Sequence, residues 1–173
     1  MEIIYIRELK NLSPNLLRRR REIEGLNRNR VAYLEKDYVQ GFIQHCAIQV
    51  VSVERGRFVS TVKVGPEHRQ QDDFIHAGLI ATMADHTAGY AAFTLVPEEY
   101  RILTIEFKIN FLRPAYGERL ICRSRIIKEG AQVMVGESEV YDLRQGEETL
   151  VAKAMVTLAP VHQERLKDQK GRP

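Results

Sequence analysis

The fold of this chain is decided by residues 70–93, which read QQDDFIHAGLIATMADHTAGYAAF. The stretch begins as a polar loop, turns through His76-Ala77-Gly78, and continues as about five helical turns of small and apolar residues. A helix that is apolar on every face is either buried on all sides or lies in a membrane, and this one is too short to span a bilayer. We therefore predict a core helix that the rest of the chain surrounds.

Asp85 carries the only formal charge between residues 77 and 93. An ionised carboxylate in such a helix is costly unless it is paired, hydrogen-bonded or reached by water. The backbone N–H groups at residues 76–78 open the helix and lack intrahelical partners, so they form a ready site for a carbonyl or an oxyanion. We predict a carbonyl that is polarised there and attacked by Asp85, or with its help. A structural carboxylate, bonded to nearby threonine or backbone groups, remains the alternative.

The segments around this helix predict an α+β domain. Residues 14–36 have the apolar spacing of an amphipathic helix, with a break near Gly25 or residues 27–29. Six further segments have the β-branched or alternating apolar residues that are typical of strands: residues 46–54, 57–64, 103–112, 119–128, 132–142 and 149–158. Short turns make successive strands antiparallel, and the apolar helix must lie against the concave face of their sheet. This is the outline of the hot-dog fold, an antiparallel sheet wrapped around one long central helix, here with an extra N-terminal helix.

The length of 173 residues is enough for one domain with terminal extensions. We expect a helical extension over residues 1–40, the hot-dog domain over residues 41–160, and a disordered tail over residues 161–173. A sheet edge that is left free invites pairing with a second copy of the chain. The prediction is therefore a homodimer, or a homotetramer built as a dimer of dimers, with the site at a subunit interface.

Composition argues against nucleic-acid and membrane partners. The net charge of +3 comes from the chain ends, because residues 41–160 carry 13 lysines and arginines against 15 acids. The four arginines at residues 18–21 are interpreted as a solvated helix face, with a patch for phosphates or anionic lipid as the alternative. Cys46 and Cys122 lack the spacing of a metal site or a disulfide framework, and no apolar run reaches about 18 residues. We expect a cytoplasmic protein without a metal ion.

Four positions around the central helix resemble a known pattern. Gln70, the His-Ala-Gly of residues 76–78, Asp85 and Thr104 are similar to the site of the hot-dog thioesterases of the phenylacetyl-CoA thioesterase (PaaI-like) family. In that family a loop Asn or Gln is followed by His-Gly-Gly, by an Asp nine residues after the His, and by a Ser or Thr near the start of the next strand. The resemblance covers roughly residues 40–160.

The resemblance implies a hydrolase of acyl-CoA thioesters with no cofactor other than the coenzyme A of its substrate. Asp85 would act as the nucleophile or as a general base on water. The backbone N–H of Ala77 or of Gly78 would polarise the thioester carbonyl. The small residues Ala88 and Gly89 beyond Asp85 leave room for a deep apolar pocket, which favours a medium-chain or aromatic acyl group, unless they only let the sheet pack closely on the helix.

The resemblance also assigns supporting roles. Gln70 and Thr104 would orient the carboxylate or the water, one of them from the partner subunit, and His76 would shape the loop. Two positions depart from the family pattern. Ala77 replaces a glycine, which is harmless only if its backbone is helical. His86 follows the catalytic aspartate and is interpreted as a structural histidine that faces the dimer partner.

Coenzyme A also needs cations for its phosphates. Arg113, Arg123, Arg125 and Lys128 are the candidates, because they project from or flank one strand of the sheet. For each of them a solvated outer face is an equally good interpretation.

Two other functions remain open. A hot-dog hydratase or dehydratase would need a histidine paired with an acid across the pocket, and Asp85 and His86 are adjacent in the chain, which is poor geometry for such a pair. A non-catalytic acyl-CoA binder or sensor is the other alternative.

Overall fold

The structure, a computed structural model, describes residues 26–170 of the chain. Its helices are α1 (Arg28–Tyr38), α2 (Phe42–His45), α3 (Ala77–Phe93) and α4 (Gln163–Lys170). Its strands are β1 (Gln49–Glu54), β2 (Arg57–Lys63), β3 (Tyr100–Phe111), β4 (Arg119–Lys128), β5 (Met134–Arg144) and β6 (Glu147–His162). This order confirms the predicted two strands, central helix and run of four strands.

The six strands form one antiparallel sheet in the order β1-β2-β4-β5-β6-β3. Helix α3 packs against β2, β3, β4, β5 and β6, so the sheet wraps around it and the predicted hot-dog fold is confirmed. The chain passes through α3 between β2 and β3. Strand β3 then pairs with β6, at the end of the sheet opposite β1. Strands β1 and β3 are therefore the two edges.

Alternation along β4 shows how the sequence directs its two faces. Leu120, Cys122 and Ser124 are buried on the side of α3, whereas Arg123 and Arg125, which alternate with them, are exposed on the outer side. The inner face builds the core with α3, and the outer face carries charges.

Helix α3 is buried along most of its circumference, as predicted. Ala84, Ala88, Ala91 and Ala92 are fully buried, because small side chains let the sheet approach the helix closely. The prediction that the helix is covered on all sides is wrong along one stripe of its surface. Thr82, Asp85 and Gly89 are only half-buried and Gly78 is exposed, and we call these four residues the open face of α3.

Helix α1 belongs to the same core. It begins after the N-cap Asn27, whose side chain accepts a hydrogen bond from the Arg30 N–H at 2.8 Å, which agrees with the break predicted near residues 27–29. Leu34 and Tyr38 are fully buried, and the Tyr38 ring stacks on Phe58 with centroids 4.9 Å apart. The boundary predicted between residues 40 and 41 therefore lies inside one packed unit. The predicted helical start at residue 14 and the arginines at residues 18–21 lie outside the described residues.

A disordered tail is expected from residue 161. In this region β6 runs to His162 opposite Tyr100 of β3, and α4 follows directly as far as Lys170. The Gln163 N–H donates to the Glu99 carbonyl at 2.8 Å, which ties the start of α4 to the chain ahead of β3. Within residues 26–170 no helix has the length and apolarity needed to cross a membrane.

Candidate active site

Asp85 and Thr104 meet on the open face of α3. The Thr104 hydroxyl donates a hydrogen bond to Asp85 Oδ1 at 2.8 Å. Asp85 comes from the third turn of α3 and Thr104 from the edge strand β3 of the same chain. Two of the predicted site residues are thus brought together without a partner subunit, and the contact is exposed on the side where no further strand follows β3.

A β-bulge in β3 accompanies this contact. Thr104 pairs with Leu158 and Glu106 with Thr157, so Ile105 is an extra residue on β3. Bulges increase the local twist and re-aim neighbouring side chains, and they are common beside active sites. The irregularity stands next to Thr104, whose hydroxyl is directed at the helix.

His76 caps the start of α3. Its imidazole Nδ1 accepts a hydrogen bond from the Gly78 N–H at 2.9 Å, so the proton of the neutral ring resides on Nε2. A Cβ atom at residue 78 would lie only 2.9 Å from that Nδ1, which explains why glycine is needed there. His76 therefore shapes the start of the helix, as the resemblance implied.

The hydrogen bonds at the start of α3 distinguish the two backbone N–H groups that were predicted to polarise the carbonyl. The Gly78 N–H is already bonded to His76, and the Leu79 N–H donates to the His76 carbonyl at 3.0 Å. The Ala77 N–H has no acceptor among residues 26–170. Ala77 is the first residue of the helix and is not among the positive-φ residues, so alanine is harmless where the family has glycine. Of the two candidates, the Ala77 N–H is therefore the one that is left without an acceptor among the described residues.

Gln70 stands at the base of a closed loop. Its N–H donates to the Phe74 carbonyl at 2.8 Å, and Arg69 pairs with Ile75 as an antiparallel bridge. The Ile75 N–H donates to the Ala115 carbonyl at 2.7 Å, which fastens the loop to the segment after β3. The Gln70 side chain is half-buried and makes no hydrogen bond within the described part of the chain. A single chain does not join Gln70 to Asp85.

His68 is a residue that the sequence analysis passed over. It is buried, its Nδ1 accepts from the Gly65 N–H at 2.9 Å, and its Nε2–H donates to the Cys46 carbonyl at 3.1 Å. Its own carbonyl accepts from the His76 N–H at 2.9 Å. His68 thus holds the strand of the loop that carries Gln70 against the strand that leads to His76. A lone histidine in a polar loop gives no signal of this role in the sequence.

His86 packs against residues of its own chain, which favours its interpretation as a structural histidine. Its Nε2–H donates to the Tyr38 carbonyl of α1 at 3.1 Å, and its ring lies 4.5 Å from the Tyr38 ring and 4.8 Å from the Tyr90 ring. Burial lowers the pKa of His86, and the carbonyl and the charges of Asp85 and Asp37 oppose this only partly. A neutral imidazole fixed between two tyrosines is not free to share proton transfer with Asp85.

The cations proposed for the phosphates of coenzyme A do not gather near Asp85 within one chain. Arg123 and Arg125 lie on the outer face of the sheet, paired with Glu148 at 2.6 Å and with Glu137 at 2.5 Å. The other two candidates are elsewhere: Arg113 donates to the Leu150 carbonyl at 3.0 Å, and Lys128 is exposed at the end of β4. Alternation along β4 turns Arg123 and Arg125 away from α3, so their position favours the solvated-face interpretation.

Ala88 and Gly89, which were both predicted to leave room for the acyl group, have different surroundings in the structure. Ala88 is fully buried against the sheet, where a Cβ atom on Gly136 of β5 would contact its methyl group at 3.7 Å. Gly89 is on the open face four residues after Asp85, and a Cβ atom there would meet nothing within 4 Å. Space beside the helix is therefore open at Gly89, whereas Ala88 lets the sheet pack closely.

Leucine substitutions at these two neighbours have opposite expected results. Gly89→Leu keeps the fold, with a change in the free energy of unfolding below about 1 kcal/mol, and lowers kcat/KM for long acyl groups more than for short ones. Ala88→Leu overpacks a closed site and destabilises the protein by about 1–3 kcal/mol. Thermal unfolding and an acyl-chain series on both variants measure this. An unfolded Gly89→Leu protein, or an unchanged chain preference, would contradict the assignment of the pocket to Gly89.

The chemistry available here is that of a carboxylate and a backbone donor. Asp85 offers an oxygen nucleophile or a base, Thr104 orients it, and the Ala77 N–H offers a donor at the positive end of the helix dipole. Among residues 26–170 no group of three His, Cys, Asp or Glu side chains is arranged to hold a metal ion. The arrangement suits attack on a polarised carbonyl.

Comparison with known proteins points to one family. Residues 73–149 match the family model of the thioesterase superfamily. The crystal structure of a thioesterase family protein from Silicibacter pomeroyi is similar, with a TM-score of 0.73 and 34% identity over 76% of this chain and 98% of that one.

Curated relatives agree with this. A protein of Saccharolobus solfataricus that carries an esterase name is 33% identical over 95 residues, which span 55% of this chain and 67% of the relative. The 1,4-dihydroxy-2-naphthoyl-CoA hydrolase of Listeria monocytogenes is 24% identical over 102 residues, 59% of this chain and 83% of the relative.

Proposed function

This chain belongs to the thioesterase superfamily and is a thioester hydrolase, and from that premise we propose that it cleaves acyl-CoA to a free acid and coenzyme A. One observation carries the proposal: the Asp85 carboxylate, held by the Thr104 hydroxyl at 2.8 Å, lies on the open face of a helix that is otherwise buried. Within the superfamily, Gln70, residues 76–78, Asp85 and Thr104 support a place in the phenylacetyl-CoA thioesterase (PaaI-like) branch.

The proposed reaction starts with the thioester carbonyl accepting a hydrogen bond from the Ala77 N–H. Asp85 then attacks the carbonyl carbon, forming a mixed anhydride that water opens, or it removes a proton from a water molecule that attacks directly. On either route the C–S bond breaks, the sulfur leaves as the thiol of coenzyme A after taking up a proton, and the acyl group leaves as a carboxylic acid. Neither route needs a cofactor, because coenzyme A is part of the substrate.

Geometry along α3 supports a site shared between two chains. Ala77 precedes Asp85 by eight residues, which is about 12 Å along a helix axis. The hydrogen bond to the carbonyl oxygen, the C=O bond and the approach of the attacking oxygen together span only about 7 Å, so one carbonyl cannot be bonded to the Ala77 N–H and attacked by Asp85 of the same helix. We propose that Asp85 and Thr104 of one chain face Ala77 and Gln70 of a partner.

The edge strand β3 supports the same assembly. Five large apolar residues of β3 and the residue after it are exposed by between 40% and 57% of their surface: Leu103, Ile105, Phe107, Phe111 and Leu112. A long apolar edge strand is a template for pairing with another chain. Pairing two copies through β3 covers this surface and brings a second chain to the open face of α3, which supports a homodimer as the smallest active assembly.

A medium-chain or aromatic acyl group is the proposed substrate. Gly89 leaves space one helical turn beyond Asp85, and a relative of this chain is named as a hydrolase of an aromatic acyl-CoA. Each additional buried CH₂ group contributes about 0.8 kcal/mol until the end of the pocket is reached.

A thiol-release assay with acyl-CoAs of increasing length tests the function. We expect kcat/KM to rise roughly fourfold per CH₂ group from acetyl-CoA, the rate equivalent of that burial energy, and to level off at medium chain length. Phenylacetyl-CoA in the same assay reports on aromatic substrates. Binding of acyl-CoA without thiol release would identify a non-catalytic binder instead, and acetyl-CoA as the best substrate would contradict the pocket proposed at Gly89.

A further inference from the structure

Buried polar side chains meet helix α3 at the turn that carries Asp85. The Ser138 hydroxyl of β5 donates to the Ala84 carbonyl at 2.7 Å, and the Cys122 thiol of β4 donates to the Met83 carbonyl at 3.5 Å. Both side chains are fully buried, and burial raises the pKa of the Cys122 thiol to about 11, so it stays protonated and able to donate.

The same turn is bonded from two further elements. The Thr87 hydroxyl is hydrogen-bonded to the Ser60 hydroxyl of β2 at 2.8 Å and to the Tyr38 hydroxyl of α1 at 3.0 Å. Ser138 is in addition bonded to Ser124, its cross-strand neighbour on β4, at 2.6 Å. Three strands and one helix thus place polar contacts on residues 83–87, which surround Asp85.

These polar contacts fix the rotation of α3 about its axis, which its apolar packing specifies poorly. Hydrophobic burial is non-directional, so small apolar side chains on a sheet specify poorly how a helix is rotated about its axis. A buried hydroxyl that loses its partner is costly, so hydrogen bonds of this kind select one rotation. A rotation of about 10° moves an atom 5–6 Å from the helix axis by about 1 Å, and a displacement of about 1 Å can cost 100-fold in rate.

We infer that Ser138 is a positioning residue for catalysis: its hydrogen bond to the Ala84 carbonyl sets the rotation of α3 that keeps the Asp85 carboxylate within reach of Thr104. Asp85 follows Ala84 directly and is rotated from it by about 100° around the helix axis, so its side chain meets β3. Ser138 touches neither the substrate nor Asp85, so its effect passes through the backbone of one helical turn. The rate effect of this inference rests on the hydrolysis proposed above, whereas its geometric effect does not.

The chain offers a matched control at the end of the same helix. Thr94 is buried to a similar extent, its hydroxyl donates to the Ala91 carbonyl at 2.7 Å, and it accepts from the Gly56 N–H at 2.7 Å. Thr94 lies nine residues beyond Asp85. Thr94→Val and Ser138→Ala each remove one buried hydroxyl and little else.

The experiment compares the two variants by unfolding temperature, kcat, KM and crystal structure. In Ser138→Ala we expect kcat to fall about 10- to 100-fold with KM within about twofold, and the distance from Thr104 Oγ1 to Asp85 Oδ1 to lengthen from 2.8 Å to beyond about 3.5 Å. In Thr94→Val we expect a similar loss of unfolding temperature with kcat and the distance unchanged. The double variant Ser124→Ala/Ser138→Ala leaves no orphaned hydroxyl, so stability should recover in part while kcat stays low.

Two results would overturn the inference. One is an unchanged distance and kcat in Ser138→Ala, and the other is an equal loss of kcat in Thr94→Val, which would mean that destabilisation alone is responsible. If the wild-type protein releases no thiol from acyl-CoA, the proposed function fails, and the two crystal structures still decide whether Ser138 positions Asp85.

Discussion

Asp85→Asn is expected to lower kcat/KM for acyl-CoA hydrolysis by at least about 100-fold, equivalent to about 2.7 kcal/mol of transition-state stabilisation, while the protein stays folded. An amide can neither attack a carbonyl as a carboxylate does nor take a proton from water. The fold is retained because residue 85 is half-buried and an asparagine oxygen can still accept the hydrogen bond from Thr104. Thiol release and circular dichroism on the purified variant measure the two effects.

The matched control is Glu99→Gln, which removes an exposed carboxylate outside the site and should leave kcat/KM unchanged. The variant Asp85→Asn should also still bind acyl-CoA. If it retained more than about a tenth of the wild-type kcat/KM, a loss of less than about 1.4 kcal/mol, Asp85 could not be the catalytic carboxylate.

Ala77→Pro is expected to lower kcat by about 100- to 1000-fold, which is the usual loss when one oxyanion donor is removed. Proline is well accepted at the first position of a helix, so the substitution deletes the N–H and keeps the helix start. The preceding residue His76 has φ −62° and ψ 130°, a conformation that a following proline favours. The matched control is Arg28→Pro at the first position of α1, which should leave kcat unchanged.

Combining the two substitutions in one assembly tests whether the site is shared. A purified heterodimer of Asp85→Asn and Ala77→Pro chains should recover about half of the wild-type activity, because one of its two sites then has both defects and the other has none. Ultracentrifugation of the wild type at micromolar concentration should show a dimer or a larger assembly. An inactive heterodimer, or a fully active monomer, would place the whole site within one chain and contradict the proposed assembly.

The central helix is predictable from the local sequence. Residues 77–93 contain no proline and a single charge, and His76 supplies a polar cap, so both ends of α3 agree with the prediction. The antiparallel order follows from the short turns between strands. The sequence does not reveal that one stripe of α3 stays open. A helix that is covered by one chain has the same apolar pattern as a helix that is covered by two chains.

Element ends that depend on distant pairing were predicted less well. Strand β6 extends to His162 because Tyr100 lies opposite it, and neither residue signals the other in the sequence. The start of α4 depends in the same way on the Glu99 carbonyl. Residues 161–170 have the composition of a polar tail, whereas residues 161–163 are held by long-range pairing with residues 98–101.

The site was predictable to different degrees. Asp85 stands out as a lone charge, but Thr104 was reached through a family resemblance, because nothing local marks a threonine in an edge strand. Strand alternation does place Ser138 on the inner face, because its neighbours Glu137 and Glu139 are half-buried on the outer face. It cannot say which helix carbonyl the hydroxyl will meet, since that depends on the rotation of α3 against the sheet.

The burial of α1 has a consequence for how the protein opens. Leu34 and Tyr38 fill the core beside Phe58, and Tyr38 is bonded to Thr87 in the turn that carries Asp85. A segment packed in this way cannot unfold alone without leaving a large apolar surface and an unpaired buried hydroxyl. We therefore expect helix α1 and the turn of α3 around Asp85 to unfold as one cooperative unit, whose amide protons exchange with solvent together. A chain that begins at residue 41 would lack part of the core that packs behind this turn.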